Sequence, residues 1–348
     1  TRSWPPRSTR PNARLCVWRI DQEYGAVPSD QLLALRHTAD VVAVHSRAVA
    51  AMLRGAGVPP ERLRIWPHGI DPETFHPDGD TLPEVAAFRA AHPEHRALLF
   101  VGGLIWRKGV DRWLEALLQL HDKARRGDGP PVCGILKAPG GGEHYAGQGM
   151  ESLVDRVASA RGGPPLLLLD RDMGRGELAA LYRSCDALVH PYRGEGFGMP
   201  VLEARASGLP VVVSSGGSTD DFCSGALEQD GSVRIDTSFR SLDLRAPHVS
   251  RPWVLEPDPE SLVAAVEQLW GDPTAVRAAA IAHAHRVVDS NRWHRVAQAV
   301  VDLAMFASRG LRCVCGLQAQ QAVVPPGIGR ISVLQMQHSA QVAASASS

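Results

Sequence analysis

The side chains best placed for chemistry lie in His190-Pro191-Tyr192-Arg193-Gly194-Glu195-Gly196-Phe197-Gly198-Met199-Pro200-Val201-Leu202-Glu203-Ala204. Glu195 and Glu203 stand with seven residues between them. Carboxylates accept hydrogen bonds from paired hydroxyls, such as those of a hexose or a ribose. Gly194, Gly196 and Gly198 strip the turn of side chains, so that the backbone can approach a ligand closely. Pro200 suits the first position of a helix and Gly208 its end, and amides at such a helix start donate to an anion or a sugar oxygen. Each acid also has a simpler reading. Glu203 could only complement the helix dipole, and Glu195 could be a solvated loop residue. The intervening glycines favour a binding turn.

A second motif is Val101-Gly102-Gly103-Leu104 followed by Lys108-Gly109-Val110-Asp111. It reads as a strand, a glycine turn and a helix. Lys108 at the helix start adds a point charge to amides that already favour anions. Arg107 beside it offers another positive charge.

The elements that must position these residues alternate. Strands are expected at 40–44, 62–66, 97–101, 132–136, 166–169, 186–190 and 209–214. Ser46 suits the N-cap of a helix to residue 54. Val110, Trp113, Leu114, Leu117 and Leu118 share one helical face, as do Met150, Leu153, Val154 and Val157. Further helices are expected at 177–184 and 200–207, with a loop around Gly140–142. Trp293, Val296, Ala297, Val300, Val301 and Ala304 form a last stripe. Strands spaced by helices predict a parallel sheet covered on both faces, and such sheets bind ligands at the carboxyl ends of their strands.

This alternation divides the chain into a partial amino-terminal domain at 1–77 and a linker at 78–95. A complete Rossmann-like domain follows at 96–290, then a return helix at 291–309 expected to pack on the first domain. The tail at 310–348 has no Asp, Glu or Lys and is expected to be disordered. The 348 residues suit two domains. The formal net charge is zero, against the basic excess of a nucleic-acid binder. No apolar run is long enough for a membrane span. The six cysteines show no paired CxxC pattern, so neither a zinc site nor a disulfide framework is expected. A cytoplasmic location follows as the default. Thr1 opens the chain, and residues 1–20 hold five arginines and no acid, so the start is expected to be internal to a longer product.

The segment from Glu195 to Glu203 resembles the Glu-seven-residues-Glu motif of retaining GT-B glycosyltransferases, the glycosyl transferases group 1 superfamily. Trp66-Pro67-His68-Gly69-Ile70-Asp71 resembles the loop before their second domain. The Gly102–103 turn with Lys108 resembles their phosphate-binding strand, loop and helix. Gly216-Gly217-Ser218-Thr219-Asp220-Asp221-Phe222 resembles the loop after the next strand. The resemblance covers about residues 30–309 and implies a GT-B-like α/β fold with an incomplete first domain.

It further implies transfer of a sugar from a nucleoside-diphosphate sugar to an acceptor hydroxyl, with retention and without a metal or other cofactor. Lys108 would bind the donor diphosphate with Gly102 and Gly103, and Glu203 the ribose hydroxyls. Glu195 would hold the donor sugar, helped by the amides of Gly196, Phe197, Gly198 and Met199. Glu195 and Lys108 are therefore the expected catalytic residues. The loop at 170–173 would lie near the base. Where the family often has Arg, this chain has Gly103, and Arg107 is expected to supply that charge. His37, His45 and His68 remain in the short first domain; His45 reads as a packed or surface histidine, and no general base is assigned.

Two rivals remain. A non-catalytic, donor-binding remnant would explain the short first domain. A dinucleotide oxidoreductase would use the glycine turn, but the spacing is GxGxG rather than GxGxxG, and no acid closes the next strand.

Overall fold

The computed structural model describes residues 13, 15–138, 151–243, 247–308 and 332–337. The chain forms two compact units. Unit 1 takes Thr1–Gly69, Ser241–Val254 and Asn291–Ala340; unit 2 takes Ile70–Arg240, Leu255–Ser290 and Gln341–Ser348.

Unit 1 opens with β1 (Cys16–Asp21), α1 (Ser29–Thr38), β2 (Val41–Val44), α2 (Arg47–Gly55) and β3 (Leu63–Ile65). Ser46 caps α2 as expected, its hydroxyl accepting the Val49 amide at 3.3 Å. Alternate residues of β1 and β2 bury against opposite layers. Trp18, Ile20, Val42 and Val44 pack with Leu35 and Leu53. Val17, Val41 and Ala43 pack with the helix described last below.

In unit 2, α3 (Pro83–Ala91) precedes β4 (Arg96–Val101), α4 (Val110–Arg125), β5 (Val132–Ala138), α5 (Glu151–Ala158) and β6 (Leu166–Asp170). Then come α6 (Arg175–Arg183), β7 (Ala187–His190), α7 (Met199–Ala206), β8 (Val211–Ser214), α8 (Leu227–Asp230) and β9 (Ser232–Ile235). The strands β10 (Thr237–Ser241) and β11 (Trp253–Pro257) pair in a small sheet of their own. Helices α9 (Pro259–Gln268) and α10 (Pro273–Ser290) complete the unit. The main sheet is parallel, in the order β6-β5-β4-β7-β8-β9. Both faces are buried: Leu99, Leu188 and Val213 point into one apolar layer, Phe100, Val189 and Val212 into the other. This double burial is what parallel crossover helices impose.

The chain returns to unit 1 as α11 (Trp293–Ser308), whose Val296, Val300 and Leu303 cover the β1–β2 face. Last comes β12 (Ser332–Gln337), parallel to β1 with Cys16 opposite Ser332. The unit 1 sheet therefore runs β12-β1-β2-β3.

Two expectations change. Two strands are expected before residue 78, and the structure has three. Arg19 and Asp21 break the apolar run that would have revealed β1. The tail is expected to lack order, yet residues 332–337 form a strand, because Ser-Val-Leu-Gln-Met-Gln can gain ladder hydrogen bonds beside β1. The Gly140–142 loop, Met150 and the rest of the tail lie outside the described residues. Among the described residues, no helix is long and apolar enough to cross a membrane.

Candidate functional site

β4 and β7 are neighbours in space, but the chain winds outward from them in opposite directions. This is the switch point of a doubly wound sheet, where the loops after the two strands diverge and leave a crevice for ligand. The loop after β4 carries Gly102, Gly103, Arg107 and Lys108; the loop after β7 carries Arg193 to Gly198.

Lys108 lies in a single 3-10 turn, Trp106–Lys108, that runs into α4 through Gly109. Gly109 has φ +77°, and a Cβ there would collide with the Pro191 carbonyl. Only glycine fits this conformation and this contact. The two loops therefore pack backbone to backbone, and Lys108 Nζ ion-pairs with Glu195 Oε1. His190 Nε2 lies 3.0 Å from the same oxygen. Both partners address Oε1; among the described residues, Oε2 of Glu195 receives no bond. Burial opposes ionisation of Glu195, but the Lys108 charge and the His190 contact outweigh it and hold the carboxyl below its usual range. Burial pushes His190 down, against the pull of Glu195.

Arg107 is buried and donates to the Gly194 carbonyl at 2.6 Å. It thereby supports the glycine turn, and its charge also acts on Glu195. Gly196 and Met199 are half-buried, while Phe197 is buried against Phe222 with ring centroids 5.1 Å apart. Gly198 caps α7 at φ +97°, with its Cα so near Thr219 that a Cβ would meet Cγ2 at 2.8 Å. The loop after β8 closes the third side. Ser218 Oγ donates to the Glu195 carbonyl at 2.6 Å, and Thr219 Oγ1 bonds Tyr192 Oη at 2.8 Å.

Glu203 is directed elsewhere. It lies on α7 and accepts from Tyr182 Oη of α6 at 2.9 Å. Burial pushes its carboxyl up to about 7, against the Tyr182 bond and the charge of Arg175. Arg175 opens α6 just after the loop at 170–173, so Glu203 belongs with that loop. The structure thus brings Lys108, Arg107, Gly102, Gly103, Glu195 and the Gly196–Met199 turn together at one switch point. Glu203 sits on the adjoining helix face.

Sequence reasoning missed Arg193. It is buried, forks onto Asp111 at 2.8 Å through both terminal nitrogens, and also bonds Glu256 and the Trp106 carbonyl. Glu256 is shared with Arg112 and Arg240. This network ties the loop after β7 to the start of α4. The available signal was an Arg inside an otherwise small-residue turn.

Unit 1 has its own polar cluster at the carboxyl ends of its strands. His45 Nε2 lies 2.7 Å from Asp21 Oδ1 and accepts from Arg19 Nε at 2.9 Å, while Nδ1 bonds the Trp66 carbonyl at 2.7 Å. His68 stacks on His45 at 4.1 Å, and burial with the nearby His45 and Arg19 pushes it down to about 4. One ligand atom from each of Asp21, His45 and His68 falls within a 4.8 Å group that could hold a metal ion. The Arg19 guanidinium already takes the His45 lone pair and puts a cation where a metal would bind. His45 is therefore buried as part of a polar cluster rather than simply packed.

Comparison with known proteins bears on this geometry directly. Residues 85–225 match the model of the family described as glycosyl transferases group 1. The match spans both loops of the switch point, from the strand before Lys108 to the loop after β8. The chain is 31% identical over 194 residues to sulfoquinovosyl transferase SQD2 of Arabidopsis thaliana, covering 54% of this chain and 33% of that protein. It is 27% identical over 270 residues to a GDP-mannose-dependent alpha-(1-6)-phosphatidylinositol monomannoside mannosyltransferase of Mycolicibacterium smegmatis, covering 75% and 61%. The chain thus spans less than two thirds of the length of these relatives. Among solved structures, sucrose-phosphate synthase from Thermosynechococcus elongatus superposes with a TM-score of 0.61 at 20% identity, over 81% of this chain and 61% of that one. Anabaena HepE in complex with UDP-glucose gives 0.57 at 18% identity, over 78% and 66%. These likenesses show the fold, an α/β GT-B-like architecture with parallel sheets.

Proposed function

We propose that this chain transfers a glycosyl group from a nucleoside-diphosphate sugar to an acceptor hydroxyl, with retention of configuration. The observation that carries the reading is the Lys108–Glu195 pair over a glycine turn at the β4/β7 switch point. Two similar proteins support the donor class: one is named GDP-mannose-dependent, and the other holds UDP-glucose.

In this reading the donor diphosphate lies over Gly102 and Gly103 and meets Lys108. The bond from the anomeric carbon to the diphosphate oxygen breaks, and its electron pair stays on the diphosphate. Lys108 and the amides at the start of α7 stabilise that charge, as fixed donors do in a water-poor site. They supply the positive charge that a divalent cation would otherwise provide. Glu195 turns Oε2 toward the donor-sugar hydroxyls, with Oε1 held by Lys108 and His190. Gly196, Phe197, Gly198 and Met199 offer amides to the sugar or phosphate oxygens. Glu203 takes the ribose hydroxyls beside the loop at 170–173. The acceptor oxygen bonds to the anomeric carbon, and its proton passes to the departing diphosphate.

The test incubates the chain with a panel of UDP- and GDP-sugars and candidate acceptors, with glycoside products read by mass spectrometry and UDP and GDP binding by calorimetry. Transfer that disappears in Lys108→Ala supports the reading. Absence of nucleotide binding overturns it. The second reading, a donor-binding module without transfer, is favoured by the fraction of its relatives that the chain spans. Binding without any transfer or donor hydrolysis would select it.

A further inference from the structure

At the amino-terminal edge of the unit 2 sheet, opposite the loops of Lys108 and Glu195, lies a cavity of about 420 Å³. Arg96, the first residue of β4, and Asp186, just before β7, mark that edge. Arg89 enters from α3, Arg183 from the end of α6 and Arg277 from α10. Four guanidinium groups and one carboxylate therefore line the cavity.

The carboxylate is already committed. Asp186 Oδ1 bonds Arg89 at 3.1 Å, and Oδ2 accepts the Ala97 amide at 2.7 Å. The other three arginines have neutral partners. Arg183 donates to the carbonyls of Asp80 at 2.9 Å and His76 at 3.2 Å. Arg277 donates to the Cys185 carbonyl at 3.2 Å. Arg96 lies over the Trp270 ring at 5.9 Å. Among the described residues, no carboxylate bonds to any of these three. Burial pushes Arg277 and Arg183 down. Arg193 shows the contrast: burial opposes its charge too, but its bonds to Glu256 and Asp111 push it up. Asp186 acts on Arg277, and Asp80 and Asp78 on Arg183, only through space; a partly desolvated cation with no bonded carboxylate is an expensive arrangement, and a bound anion would relieve it.

We propose that this cavity is a binding site for a small phosphomonoester, whose phosphate is gripped by Arg96, Arg183 and Arg277. Guanidinium forks match the geometry of phosphate oxygens. The volume falls within the range of small-molecule pockets, roughly 300–1,000 Å³, and exceeds what inorganic phosphate alone would fill. Pro210, Leu269 and Trp270 form an apolar wall for the organic part of the ester. The site lies at the opposite strand ends from the switch point, so it does not depend on the proposed transfer reaction.

The test titrates the full chain by calorimetry with glucose 6-phosphate, AMP and inorganic phosphate, each with excess UDP present to fill the switch-point crevice. At least one ester is expected to bind, and more tightly than inorganic phosphate. Arg96→Gln and Arg277→Gln are each expected to weaken it about tenfold or more, the usual loss of a charge-assisted hydrogen bond. Arg96 makes a ring contact and no described side-chain hydrogen bond, so Arg96→Gln tests the site even where Arg277→Gln disturbs the fold. Two results overturn the proposal: no ester binding up to about 10 mM, or affinity untouched by Arg96→Gln. Equal affinity for inorganic phosphate would overturn the assignment to an ester.

Discussion

Lys108 Nζ meets Glu195 Oε1 across the switch point between β4 and β7, joining two residues 87 positions apart in the sequence. Glu195 is almost wholly enclosed, so this pair does two things at once. It fixes the orientation of the carboxylate, and it keeps that carboxylate charged where burial would favour the neutral form. Replacing Lys108 with Ala leaves a buried acid without its cation. The folded state should lose about 3–5 kcal/mol, the usual cost of breaking a buried pair from one side. On the proposed reading Lys108 also stabilises the leaving diphosphate, so its removal should lower kcat by about 10²–10³-fold. Urea unfolding and single-turnover transfer assays measure the two effects separately. Stability equal to that of the unaltered chain would mean that the pair is not formed in solution.

His190 shares Glu195 with Lys108, and this has a consequence for pH dependence. The folded-state carboxyl lies below its ordinary value, so its contribution to stability is present above the usual carboxylate range. That contribution is lost only as pH falls through the depressed folded value. His190→Leu removes one of the two groups that hold it down. The acid limb of activity and of stability should then move to higher pH. His190→Gln keeps a donor at the equivalent position and should restore most of the original profile. Melting temperatures and transfer rates between about pH 3 and 7 would check this. Superimposable profiles for the Leu variant and the unaltered chain would remove His190 from the site.

These relationships were unevenly legible in the sequence. Gly194, Gly196 and Gly198 flanking Glu195 announced a turn that must approach something closely, and the two glycines before Lys108 did the same for the other loop. The apolar runs of β4, β5, β7 and β8 stood out because both faces of a parallel sheet are buried, leaving few polar interruptions. Arg193 was hidden for the opposite reason. An arginine in a loop ordinarily reads as solvated, and its partners, Asp111 and Glu256, come from distant parts of the chain. Glu203 was legible as a helical acid, but only packing shows that its face of α7 meets Tyr182. In unit 1, Arg19 and Asp21 disguised β1 because they end the strand in the polar cluster around His45 rather than in the core.

Arg193 supports the loop after β7 with no described contact to Lys108 or Glu195. It is bonded to Asp111 through two nitrogens and stacks over Trp106 with 4.3 Å to the ring centroid. Arg193→Met keeps much of the bulk but leaves Asp111 and Glu256 facing each other without their shared cation. A loss of several kcal/mol, about 3–5, is expected. The loop should loosen as well, so that KM for the donor rises together with a fall in kcat. Arg193→Lys should not rescue it, because a single ammonium cannot reproduce the forked bonds. Equilibrium unfolding and steady-state kinetics on both variants distinguish these outcomes, and full rescue by Lys would reduce the network to simple charge.

Glu203 runs the opposite way from Glu195 in pH. Burial raises its folded-state pKa to about 7 from an ordinary carboxyl value. A raised acid contributes stability that is fully present below the unfolded pKa and is lost as pH rises through the folded one. The chain should therefore lose stability between about pH 5 and 8 from this group, by an amount on the order of 3 kcal/mol for a shift of this size. Glu203→Gln removes the titration while keeping an oxygen able to accept from Tyr182. The variant should match the unaltered chain near pH 5 and exceed it near pH 8, measured by thermal unfolding at several pH values without nucleotide. Its donor affinity should fall if the ribose hydroxyls need a full carboxylate. A variant that gains no stability at high pH would show that Glu203 is already ionised at neutral pH, with water reaching it along the α6–α7 face.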